Sequence, residues 1–112
     1  MKIVGTGCGP GMLTEMAIEE IKKAGMIVGS KRAIDLASHY IPPGCDTRII
    51  EDYKSLRSLP DSAVLLSTGD PMLSGLGYLG GDVIPGISSV QYGAAKTGVS
   101  LTGLVIISAH GR

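Results

Sequence analysis

Leu65-Leu66-Ser67-Thr68-Gly69-Asp70-Pro71-Met72-Leu73-Ser74-Gly75 decides how this chain is read. The aliphatic run from Ala63 to Leu66 has the length and composition of a strand buried on both faces. It stops at a Gly-Asp-Pro turn, and further glycines follow at Gly75 and Gly77. In open α/β sheets, ligands bind just beyond the carboxyl ends of the strands, where the chain direction switches. Gly69 admits close approach to the backbone, Pro71 stiffens the turn, and Asp70 sets one carboxylate at the rim. The stretch reads as a binding site at a strand tip, not merely as a turn.

Working outward, the chain alternates short strand, glycine turn and helix, the signature of a parallel α/β sheet. Strands are expected at Lys2 to Val4, Met26 to Val28, Thr47 to Ile50, Ala63 to Ser67, Val83-Ile84 and Leu104 to Ile107. Thr14 is placed to cap a helix reaching Ala24, with Gly25 as its stop. Leu13, Ala17, Ile18, Ile21 and Ala24 form its apolar stripe, and Glu15, Glu19, Lys22 and Lys23 face outward. Ser30 caps a second helix to about Ser38, Tyr53 to Leu59 forms a short one, and Ser88 or Ser89 caps a last one to about Lys96. Few residues separate the fourth and fifth strands, so the crossover helix there is stunted or absent.

The 112 residues fit one domain with a modest core. They are 44% apolar yet lack Phe and Trp, so that core is aliphatic. Ten basic residues balance ten acidic ones, which gives no field to recruit nucleic acid or an anionic membrane. No apolar run approaches the roughly 20 residues that span a bilayer, and the chain opens on a strand rather than a signal peptide. A cytoplasmic protein with free thiols is expected. Cys8 and Cys45 form no C-x-x-C pair, and with only His39 and His110 to join them no metal site is expected. The polar end Ser108-Ala109-His110-Gly111-Arg112, directly after a strong strand, looks like a cut.

Two other glycine-bearing loops follow predicted strands. The first, Gly5-Thr6-Gly7-Cys8-Gly9-Pro10-Gly11, fails the dinucleotide fingerprint G-x-G-x-x-G in both registers, because Pro10 and Met12 stand where glycine is needed. Its glycines exceed what a tight connection requires, which favours a ligand wall. Ser30-Lys31-Arg32 can imitate a clamp for the 2′-phosphate of NADP, though a helix cap followed by solvated charges is the plainer reading. The second loop, Ile84-Pro85-Gly86-Ile87-Ser88-Ser89, ends a strand with two hydroxyls at a helix start, where one serves as cap and the other can meet a polar ligand. Loops after parallel strands open on one edge of the sheet. The polar groups Thr68, Asp70, Ser88 and Ser89 suit a neutral or cationic ligand with hydroxyls better than a pyrophosphate.

Gly5 to Gly11 with Leu13-Thr14, Ser67 to Gly75, Val83 to Ser89 and Ser108 to Arg112 resemble, in order and spacing, the tetrapyrrole (corrin and porphyrin) methylases. The resemblance runs from Lys2 to Arg112. Pro85 to Gln91 together with Ser-x-His-Gly-Arg narrows it to the cobalt-precorrin-7 carbon-5 methyltransferase branch of cobalamin biosynthesis.

The resemblance implies a three-layer α/β domain with a mostly parallel five-stranded sheet, the N-terminal half of a two-domain, homodimeric methylase. Residues 1–103 would form that domain, and 104–112 the last strand and hinge to a C-terminal domain, in the same chain or in trans. S-adenosyl-L-methionine is the implied cofactor, held by Thr68, Gly69, Asp70, Leu73, Ser88 and Ser89. Gly9, Pro10 and Arg112 fall on the side of the cobalt-precorrin or precorrin substrate. The resemblance singles out no catalytic residue, and Asp70 is read as a cofactor contact rather than a base. Lys96, Arg32 and Arg112 are candidate cations for the substrate's carboxylates. An NADP-dependent oxidoreductase domain and a non-catalytic partner-binding half are the alternatives.

Overall fold

Side chains alternate across a strand, so a run that is aliphatic throughout must be covered on both faces. The computed structural model, which describes residues 1–102, meets that demand with a five-stranded sheet in the order β3-β2-β4-β1-β5. The strands are β1 (Lys2–Gly5), β2 (Met26–Gly29), β3 (Asp46–Ile49), β4 (Val64–Ser67) and β5 (Asp82–Ile84). Every pairing among them is parallel. On one face Val4, Ile27, Val64 and Leu66 pack with Ala17, Ile21, Ala33 and Ala37, supplied by helices α1 (Glu15–Lys23) and α2 (Lys31–Ala37). On the other face Ile3, Val28 and Leu65 pack with Leu56 and Leu76, which sit on two 3-10 turns, Tyr53–Ser58 and Leu76–Leu79. A third helix, α3 (Ser89–Thr97), follows β5. The expected three-layer α/β domain is present, with its sheet wholly parallel.

Local chemistry explains most boundaries. The Thr14 hydroxyl accepts from the Ala17 amide at 3.1 Å, and the Ser30 hydroxyl accepts from Ala33 at 3.2 Å. Ser88, not Ser89, caps α3, in a capping box where the Gln91 side-chain oxygen accepts from the Ser88 amide at 2.9 Å. Ile21 is fully buried, which contributes about 1.5–3 kcal/mol.

The differences from the sequence reading are local. Ala24, not Gly25, ends α1: its backbone is already extended, so the chain runs straight towards β2 without a left-handed cap. The stretch Tyr53–Ser58 is a 3-10 helix rather than an α-helix, started by the Asp52 carboxylate accepting from the Lys54 amide. Strand β3 begins one residue earlier than expected, and all four of its residues are exposed because it forms the sheet edge. The crossover between β4 and β5 is reduced to the single turn Leu76–Leu79, as its length requires. The expected strand Leu104 to Ile107, and His110 and Arg112, lie outside the described residues.

Candidate functional site

β1 and β4 are neighbours in the sheet, yet the chain leaves them towards opposite faces. After β1 it turns to α1, whose Ala17 and Ile21 lie in the helical layer. After β4 it turns to Leu76, which lies in the layer of 3-10 turns. The carboxyl ends of neighbouring strands whose connections part in this way are the usual ligand position in such sheets.

Four glycines fasten these strand-tip loops to one another. The Gly7 amide donates to the Gly69 carbonyl at 3.2 Å and the Gly69 amide returns a bond to the Gly7 carbonyl at 2.8 Å, so the first and second loops are bridged by backbone. Gly69 has φ +65°, and a Cβ there would stand 3.6 Å from the Ser88 Cα. A Cβ on Gly5 would lie 2.7 Å from the Gly86 amide nitrogen, and one on Gly86 would run into the Gly69 carbonyl. Only residues without a side chain allow β1, the β4 loop and the β5 loop to meet so closely. The Asp70 carboxylate completes the junction by accepting from the Gly86 amide at 3.1 Å.

The residues singled out by sequence are distributed as follows. Gly69, Asp70 and Ser88 converge at this junction. Thr68 is exposed and lines a cavity of about 90 Å³ with Ser30, Tyr53, Ser74 and Gly75, at the carboxyl ends of β2 and β4. Leu73 is half-buried, its amide donating to the Asp70 carbonyl at 3.0 Å, which closes the turn. The Ser88 hydroxyl is buried as the α3 cap, whereas Ser89 is exposed beside it. Gly9 is buried next to the Met12 side chain. Pro10 projects the other way, into a concavity shared with Lys31, Arg32, Asp35 and Leu36.

The imagined phosphate clamp is not assembled. Ser30 caps α2, Lys31 pairs with Asp35 at 3.2 Å, and Arg32 donates to the Cys8 carbonyl at 2.9 Å.

Sequence reasoning missed Gly5 and Gly86 as the fastening points, and also Ser67. The buried Ser67 hydroxyl accepts from the Leu76 amide at 3.0 Å and so sets the path of the chain after the turn. A glycine at each of three strand tips was the available signal for the first two. Nothing local marks Ser67.

A wholly parallel sheet covered on both faces, with its strand-tip loops packed together at glycines, defines a parallel α/β domain. Residues 2–112 match the sequence model of the Tetrapyrrole (Corrin/Porphyrin) Methylases, and the chain belongs to that family. The "Cobalt-precorrin-7 C(5)-methyltransferase" of Salmonella typhimurium is 30% identical over 125 residues, covering 100% of this chain and 62% of the relative. The "Probable cobalt-precorrin-7 C(5)-methyltransferase" of Methanocaldococcus jannaschii is 35% identical, covering 95% of this chain and 59% of the relative. The crystal structure of precorrin-6Y methylase from Archaeoglobus fulgidus superposes with a TM-score of 0.85 at 32% identity, over 98% of this chain and 64% of that one. The chain thus spans about three fifths of the length of the relatives it matches.

Proposed function

We propose that this chain is the cofactor-binding N-terminal half of an S-adenosyl-L-methionine-dependent C-methyltransferase acting on carbon 5 of a cobalt-precorrin or precorrin in cobalamin biosynthesis. Family membership and the names of the relatives support the reaction. The observation that carries the reading is the convergence of three strand-tip loops at the carboxyl ends of β1 and β4, fastened at Gly5, Gly69 and Gly86. The donor set fits the cofactor. Among the described residues the Thr68 hydroxyl and the second Asp70 oxygen have no protein partner, and Ser89 is exposed. Hydroxyls and one carboxylate suit ribose hydroxyls and a positively charged sulfonium.

When bound, S-adenosyl-L-methionine supplies an activated methyl group for in-line transfer to an electron-rich ring carbon. The residues of this chain bind and orient. In this reading Asp70, bonded to the Gly86 amide through one oxygen, offers the other to the cofactor, and Thr68, Gly69, Leu73, Ser88 and Ser89 supply the further contacts. Holding reacting atoms about 3–3.5 Å apart supplies much of such an acceleration, so no covalent role is asked of any side chain here. In this reading 1–103 is the N-terminal domain and 104–112 leads to a second domain, in the same chain or in trans. Gly9, Pro10 and Arg112 lie towards the substrate, in a cytoplasmic homodimer.

Calorimetry on the full-length protein tests the reading with S-adenosylhomocysteine and NADPH side by side. S-adenosylhomocysteine is expected to bind and NADPH not to. Gly86→Ala, which drives a methyl group into the Gly69 carbonyl, is expected to cost about 1–3 kcal/mol of stability and to abolish that binding. Binding of NADPH alone would overturn the assignment.

A further inference from the structure

Arg32 stands apart from the other described arginines. Arg48 is paired with Asp46 at 2.8 Å, and Arg57 reaches the Tyr78 and Leu79 carbonyls at 3.5 Å. Arg32 is exposed, has no carboxylate partner among the described residues, and makes one bond, from Nη2 to the Cys8 carbonyl at 2.9 Å. That bond ties it to the first glycine loop, on the same edge of the sheet as the glycine junction. It also tethers the guanidinium at one end, and among the described residues most of its five N–H donors are unspent. Neighbouring Lys31 is paired with Asp35, so among the described residues lining this concavity Arg32 is the one cation without a carboxylate partner. The concavity beside it, about 530 Å³, has Pro10 and Leu36 as apolar walls.

An apolar shelf with one oriented, unpaired guanidinium fits the edge of a flat apolar ring that carries a carboxylate arm. We propose that Arg32 binds a peripheral carboxylate of the macrocyclic substrate, with the ring edge resting on Pro10 and Leu36. The inference rests on the methylase reading and adds to it a substrate-positioning residue. The guanidinium fork matches carboxylate geometry in a way that an ammonium does not, so lysine is an incomplete replacement.

The test uses the full-length protein and two probes, the octacarboxylate porphyrin uroporphyrin and its neutral octacarboxamide, with S-adenosylhomocysteine titrated separately. Arg32→Gln is expected to weaken uroporphyrin binding by about 10–100-fold, to leave the carboxamide's affinity unchanged, and to leave S-adenosylhomocysteine binding intact. Arg32→Lys is expected to restore part of the loss. Equal weakening of acid and amide would show that Arg32 only holds the Cys8 loop, and would overturn the proposal. So would a loss confined to S-adenosylhomocysteine, since the carboxylate recognised would then be the cofactor's. Intact S-adenosylhomocysteine binding with uroporphyrin indifferent to Arg32 removes this inference and spares the methylase reading. Failure of the wild type to bind S-adenosylhomocysteine removes both.

Discussion

Helices α1 and α3 are each nine residues long, and both begin at a hydroxyl that accepts from the third helical amide. The α3 cap is the better built, with a reciprocal bond from Gln91 and a left-handed Gly98 at the other end. Their burial is opposite. Helix α1 sinks Ala17 and Ile21 into the sheet, whereas α3 has no buried residue and leaves Tyr92 42% exposed. Caps decide where a helix starts and stops, but packing decides whether a segment this short persists in water. Within the described residues, α3 is anchored at its base by the Gly86 junction and the buried Ser88, and its body is covered no further than the half-buried Val90, Gly93 and Ala94.

The comparison can be broken most directly in the two helix bodies. Ile21→Ala is expected to cost about 2–5 kcal/mol, whereas Tyr92→Ala should stay within about 0.5 kcal/mol, both read from urea denaturation. Equal losses would mean that α3 is packed after all. The caps offer a finer cut. Thr14→Ala and Ser88→Ala each remove a cap bond worth about 1 kcal/mol. The first should lower the global unfolding free energy, and the second should chiefly speed amide hydrogen exchange within α3.

The smallest effect concerns charge. Partial burial pushes the Glu20 carboxyl up, but hydrogen bonds from Lys2 and Lys23 outweigh it and hold the group below its ordinary value. Lys2 is raised, by its bond to Glu20 first and to Asp82 second. A lowered carboxyl contributes stability above its unfolded pKa and loses it as pH falls through the folded one. The raised ammonium contributes below the usual lysine range and loses it only as pH climbs beyond. Glu20→Gln should therefore flatten the acid limb of the stability–pH curve. Among the described residues, α3 carries no ion pair, so Lys96→Gln should leave that limb unchanged.

What the residues disclosed, and what they concealed, follows the range of the forces involved. Strands β1, β2 and β4 are legible because Ile3-Val4, Ile27-Val28 and Ala63 to Leu66 leave no alternative to burial on both faces. The caps at Thr14, Ser30 and Ser88 are decided within one turn and are equally plain. Strand β3 is harder: Asp-Thr-Arg-Ile has no apolar face, and it is held by pairing with β2 along the sheet edge. The 3-10 geometry at Tyr53–Ser58 follows from how Leu56 must meet Val28 and Leu65, which no local pattern encodes.

For the site, parallel order alone predicted that three loops share one edge. Which glycines touch depends on partners far apart in sequence, such as Gly5 with Gly86 and Asp70 with the Gly86 amide. The direction of Pro10 depends on where α2 lies, so it too was out of reach.

The strand order has a consequence for biosynthesis. The neighbours of β1 are β4 and β5, both made later, while β2 and β3, made in succession, are neighbours of each other. Ile3 and Val4, fully buried in the finished domain, therefore wait unpaired until Val64–Ser67 leaves the ribosome and slots between β1 and β2. A nascent chain halted before that point presents a bare aliphatic strand to its surroundings. The time taken to synthesise the chain from β1 to Ser67 thus bounds how long the first strand stays uncovered.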